Sequence, residues 1–260
     1  MAAIDAGAAA RPRAGSRFNF DTLVVALVIL VAWQVLHWIV GSVALASPAE
    51  ALARLFALVS SADFYRHVAE TASALGQAAL ISLVGGLAIG ILLGAHKLSG
   101  AVAEPILIAL YSIPKITLYP LILLFFGLGM SAKVAFGAIH GIIPVVIFTM
   151  NAVRTIPGIH LKTARALKLG PLTTARTILI PSCLPEIVTG FRIGFALTIL
   201  GTLIGELFAS QRGIGFLLMK AMHVNDTATI LALAVLLYAF AVGVSALLLW
   251  LERSLHHRAA

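Results

Sequence analysis

The sequence predicts an all-α integral membrane protein with six transmembrane helices. Three observations carry this. First, 61% of the 260 residues are hydrophobic, 11% are charged, and the mean hydropathy is +1.06. Soluble domains hold about a quarter charged residues, and a water-soluble fold could not cover this much apolar side chain without large exposed patches. Second, six segments are long and apolar enough to cross about 30 Å of hydrocarbon at 1.5 Å per residue. Third, most of the Lys and Arg residues cluster in alternate connections between those segments.

The first span is expected at 22–41, after a tail (residues 1–20) that carries Arg11, Arg13 and Arg17. Ala44-Leu45-Ala46 has the look of a signal-peptidase site. A run of roughly 20 residues is nevertheless longer than a cleaved apolar region, and it holds Trp33, His37 and Trp38, so it reads as a retained span. Residues 42–70 mix Pro48, Arg54, Asp63 and Arg66 into an external segment with one short amphipathic helix near 48–60. The first span and this segment make one unit, 21–70, and the main transmembrane domain spans 71–252.

The second span, 71–95, repeats small residues every four positions: Ser82, Gly86, Gly90 and Gly94. The fifth, 184–208, does the same with Gly190 and Gly194, then Gly201 and Gly205. Such rows let helix backbones approach closely in lipid, within the subunit or at a dimer seam. The third span, 101–126, contains Pro105, Pro114 and Pro120, with Lys115 between the last two. Internal prolines break helices, and an intramembrane lysine marks a pathway or a structural partner, so Pro114, Lys115 and Pro120 are candidate pathway residues. The fourth and sixth spans are expected at 134–153 and 228–251.

With the N-terminus inside, the inner side carries eleven of the eighteen Lys and Arg residues: Arg11, Arg13, Arg17, Lys97, Arg154, Lys162, Arg165, Lys168, Arg176, Arg253 and Arg258. Arg54, Arg66, Lys133, Arg212 and Lys220 lie outside, and Lys115 and Arg192 fall within spans. The bias predicts both termini in the cytoplasm, and the net charge of +8 reads as topology rather than nucleic-acid binding. The single cysteine, Cys183, excludes a disulfide framework. No phosphate loop, zinc-ligand spacing or catalytic Ser/His/Asp set occurs, so neither an active site, a cofactor nor a metal is expected in this chain.

The connection 154–181 is the other marked feature. Residues 159–169, read as a helix, place Lys162, Arg165 and Lys168 on one stripe and Leu161, Ala164 and Leu167 on the next. Gly170-Pro171 stops that helix, and a second helical run near 172–180 leads to Pro181. A two-helix knob with an apolar stripe suits docking into a groove of a soluble partner.

This stretch resembles the cytoplasmic signature loop of ABC importer inner-membrane permeases. Ala164 matches the signature alanine, and Ile178-Leu179-Ile180-Pro181 matches its end. Leu184-Pro185, Gly190-Phe191-Arg192, the run Ser112 to Leu121, and Phe126-Gly127-Leu128-Gly129 resemble the nitrate/sulfonate/taurine branch, as do Glu206, Gly213-Ile214-Gly215-Phe216 and Glu252-Arg253. Lys162 stands at the acidic position of the pattern and Lys168 at its glycine.

The resemblance implies a type I importer permease fold in a bacterial inner membrane. It implies a permease homodimer, a heterodimer being the alternative, with two copies of an ATP-binding subunit and a periplasmic solute-binding protein. The coupling residues would be Leu161, Lys162, Ala164, Arg165, Leu167, Lys168, Gly170 and Pro181. The competing class is a stand-alone secondary transporter or channel, which would want a relay of buried acids. Only Glu104, Glu186 and Glu206 sit in or near spans. A membrane-embedded enzyme lacks its catalytic set.

Overall fold

The computed structural model describes residues 17–259, so Arg11, Arg13 and the start of the expected tail lie outside the described residues. The chain runs α1 (Arg17–Val40), α2 (Pro48–Val59), α3 (Ala62–Ala95), α4 (Lys97–Ser112), a 3-10 turn (Lys115–Leu118), α5 (Tyr119–Phe126) and α6 (Met130–Arg154). It continues with α7 (Gly158–Ala166), α8 (Pro171–Thr174), a π-helical turn (Ala175–Leu179), α9 (Ile180–Ala209), α10 (Ile214–His223) and α11 (Thr227–Ala259). Among the described residues, five helices are long and apolar enough to cross a membrane, and the bent pair from α4 to α5, taken as one broken span, brings the number to six.

The core is α6 packed between α3 and α9. The small-residue rows are the reason these helices meet so closely, and they are spent within the subunit. A Cβ on Gly86 or Gly90 would come within 2.6 Å of Val145 or Thr149 of α6, and one on Gly94 within 2.8 Å of Val153. From the other side, Gly194 stacks on the backbone of Gly141, Gly201 on His140 and Gly205 on Lys133. These rows therefore give a dimer seam no support.

Three segments differ from the sequence expectation. Helix α3 starts at Ala62, not near 71. Asp63 in the first turn complements the helix dipole, and His67 and Thr71 face inward, so the charged residues extend the helix instead of ending it. In the third span, Pro105 lies within intact α4, while Pro114 alone breaks the helix, with an 86° bend, and Pro120 opens α5. Helix α10, ten residues after Gly213, forms between the fifth and sixth spans, where the sequence expectation places no element.

The periphery is tied on by polar contacts. Helix α1 carries exposed apolar side chains along its length and is fastened at its end, where Trp33 donates to the carbonyl of Ala46 and the His37 ring meets that of Leu45. Ser47 and Glu50 form a reciprocal cap on α2. Arg54 of α2 pairs with Asp226 at 3.1 Å and donates to Thr229 of α11. Partial burial pushes the Asp226 carboxyl up, but hydrogen bonds from Thr229 and the Arg54 guanidinium outweigh it and hold the group below its ordinary value. Arg154 pairs with Glu104 at 2.7 Å, and Arg192 with Glu252 at 2.9 Å, fixing α4 to α6 and α11 to α9.

Candidate functional site

At one end of the bundle, α7 and the π-helical turn connect the two most central helices. Helix α7 ends at Ala166, earlier than expected, because Lys168 adopts a left-handed conformation, φ 49°. The Leu169 amide then donates to the carbonyl of Ala164 and the Lys168 amide to that of Arg165, both at 3.0 Å. This is the paired hydrogen bonding that usually demands glycine after the cap. Lys168 thus takes a backbone role that usually falls to glycine and leaves the helical stripe expected for it.

The expected apolar stripe splits. Ala164 is 4% exposed and packs within this chain, so it is not a free docking surface. Leu167 and Ile159 are 65% and 64% exposed and make the outward apolar face, flanked by exposed Lys162, Arg165, Lys168 and Gly170. Leu161 sits on α7, its side chain outside those described. Pro181 is exposed in the first turn of α9. The Cys183 thiol donates to the carbonyl of Ala152, tying that turn to the end of α6.

A left-handed lysine costs about 1–2 kcal/mol relative to a right-handed conformation, partly offset in glycine by its larger unfolded-state entropy of about 0.5–1 kcal/mol. Lys168→Gly is therefore expected to stabilise α7 by roughly 0.5 kcal/mol and Lys168→Val to destabilise it by more. Hydrogen exchange of the α7 amides checks the order of the parent and the two variants.

In the third span, Lys115 is half-buried at the break. Its Nζ donates to the carbonyl of Tyr111 at 3.0 Å and lies 5.2 Å from the centre of the Tyr111 ring. It satisfies a carbonyl orphaned when Pro114 ends α4, so the lysine holds the broken helix. Pro114 and Pro120 are exposed beside it. Helix α5 is anchored by Tyr119, whose hydroxyl donates to the carbonyl of Gly205 and whose ring meets Phe136 edge-on.

The opposite end holds a buried ionic cluster that sequence reasoning missed. Lys133, expected in an outer loop, lies in the first turn of α6 at 1% exposure. Its Nζ donates to Glu70 at 2.9 Å and to the carbonyl of Arg212 at 3.0 Å, and lies 3.8 Å from Glu206. Glu206 is 0% exposed and accepts from Thr71 and from the Gly215 amide, each at 2.9 Å. Gly213, at φ 124°, passes so close over the Glu206 carboxylate that a Cβ there would collide with it. A glutamate near the end of an apolar span, with Gly213-x-Gly215 shortly after it, was the available signal. Above the cluster opens a cleft of about 530 Å³ lined by Glu70, Lys133, Phe208, Gln211 and Arg212.

Most of this chain matches a known family. Residues 86–258 match the model of the binding-protein-dependent transport system inner membrane component. The chain belongs to this family. As a permease it is similar to the riboflavin transport system permease RibX of Chloroflexus aurantiacus, 32% identical over 233 residues that cover 87% of each chain. It is 29% identical to the nitrate import permease NrtB of Synechococcus elongatus over 249 residues, 90% of this chain and 89% of the relative. Its fold is that of a chain in an inward-facing methionine ABC transporter, MetNI, with a TM-score of 0.62 and 19% identity over 74% of this chain and 96% of that one. The permease is a multi-pass inner-membrane component of an ABC importer and contributes to the translocation pathway. It is not an enzyme: the ATPase activity of such importers lies in a separate subunit.

Proposed function

We propose that this permease is ATP-driven, receives a small polar solute from a periplasmic binding protein, and is coupled to its ATPase through residues 154–181. The observation that carries this is the outward apolar pair of Ile159 on α7 and Leu167 at its cap, joined through α8 and the π-helical turn to α9 of the core. A partner that grips α7 therefore pulls on a core helix. Both termini and α7 face the cytoplasm, as the cation bias requires. Two permease copies and two ATP-binding subunits make the working complex, with 1–20 a cytoplasmic tail and 21–70 a peripheral unit before the 71–252 transmembrane domain. The substrate is an oxyanion of the sulfonate, taurine or nitrate class. The nitrate relative supports this class, and the riboflavin relative supplies the rival, a heterocycle.

Reconstitution tests the reading. Proteoliposomes holding the permease and its ATPase should accumulate labelled oxyanion when ATP and the binding protein are supplied. Accumulation with the ATPase omitted would instead favour a secondary transporter. Lys115 is expected to tune the rate. Losing a charge-assisted hydrogen bond of about 1.5–3 kcal/mol at the break should lower the maximal uptake of Lys115→Ala about tenfold and shift the half-saturating substrate concentration less. Wild-type rates in both Lys115→Ala and Lys115→Met would remove it from the pathway.

A further inference from the structure

The loop between α9 and α10 is held from beneath by side chains of all three core helices. Four backbone groups in succession are each taken. Lys133 of α6 donates to the Arg212 carbonyl at 3.0 Å. The Gly213 amide donates to His67 Nδ1 at 3.0 Å and the Ile214 amide to Thr71 at 2.8 Å, both partners on α3. The Gly215 amide donates to Glu206 of α9 at 2.9 Å. Capping α10 would need only the last three, and neutral groups would do it. A buried ion pair is a poor way to gain stability, since apolar residues of the same volume often do as well or better. What the charges add is a fixed position: the Lys133 ammonium joins the loop carbonyl, Glu70 and Glu206 in one arrangement. Ser210, Gln211 and Arg212 of the same loop line the cleft together with Glu70 and Lys133. Exposed Leu128 and Phe208 line it as well, so the cleft presents apolar and charged side chains side by side. It lies at the end of the bundle away from α7.

We infer that Glu206 and Lys133 are positioning residues: they set the Ser210–Gly213 loop so that the cleft receives the protein that delivers substrate. This rests on the reading that such a protein docks at the end opposite the ATPase. Glu206 acts through the loop and lies outside the cleft lining. Its neutral variant still accepts the Gly215 amide but no longer attracts Lys133, so the loop loses its fixed register while the fold keeps its hydrogen bonds.

The test is ATP-driven uptake by the reconstituted complex as a function of binding-protein concentration. Glu206→Gln is expected to raise the half-saturating binding-protein concentration about tenfold, with the maximal rate changed less than twofold. Gly213→Ala, which presses a methyl onto the Glu206 carboxylate from the other side, should shift it in the same direction. A lowered maximal rate with an unchanged half-saturating concentration in Glu206→Gln means a purely structural role and overturns the inference. A wild-type rate that ignores the binding protein overturns the docking reading itself, and the two failures are separable because one is read in the variant and the other in the parent.

Discussion

Replacing Lys133 by methionine is expected to destabilise the permease by about 3–5 kcal/mol, the usual cost of stranding a buried charge by removing its partner. Methionine fills most of the volume of the lysine stem, so the loss is electrostatic rather than a cavity. Glu206 would keep its hydrogen bonds from Thr71 and Gly215 but face Glu70 with no cation between them. Glu70, at 27% exposure, can turn toward water; Glu206 is sealed in. The double variant Lys133→Met/Glu206→Gln should recover most of the loss, because no unpaired charge then stays buried at that end. Denaturant titration of the detergent-solubilised protein measures both. A single variant as stable as the parent, or a double variant whose loss is the sum of its parts, would show the three groups to be energetically independent.

Leu167→Asp is expected to abolish co-purification of the ATPase and, with it, uptake. Leu167 projects from the cap of α7 beside three cations, and an apolar anchor at the centre of a docked knob typically contributes about 2 kcal/mol or more, roughly thirtyfold in affinity. The aspartate would also have to be desolvated on docking. Because Leu167 is exposed in the free chain, the variant should insert and melt like the parent, which separates lost docking from lost folding. Ala164→Asp makes the contrast. Its side chain is enclosed by its own subunit, so a charge there should loosen α7, visible as faster hydrogen exchange over Gly158–Ala166 before any partner is added. Full ATPase recovery with Leu167→Asp would take the docking role away from α7.

The contrast between these positions marks how far the sequence can be read. Span number and order are set by hydropathy, which depends only on composition in a window. The docking knob is legible because Gly170-Pro171 and the cation spacing are local signals. Whether Ala164 or Leu167 faces outward is not, since that depends on which face of α7 the rest of the bundle covers. Glycine rows announce close approach, but only the packed helices decide that α6 is what approaches. Pro105 and Pro114 look alike in the sequence. Only the packed chain shows that Pro105 sits inside an intact helix while Pro114 marks the bend, where Lys115 serves the carbonyl of Tyr111. Lys133 is misplaced by counting cations segment by segment, which treats each as solvated, and the acids that neutralise it are 63 and 73 residues away in the chain.

The glycine-backed seam of α3, α6 and α9 has a mechanical consequence. Surfaces on which glycine meets backbone, a short β-branched side chain or a ring cannot be compressed or slid past one another without clashing, because packed interiors deform little. The three helices therefore behave as one stiff block that tilts as a unit. Whatever strain arrives at one face of that block emerges at the other with little loss, and the compliance of the molecule is concentrated where the seam is absent: the π-helical turn before α9, the bend at Pro114, and the loosely fastened α1.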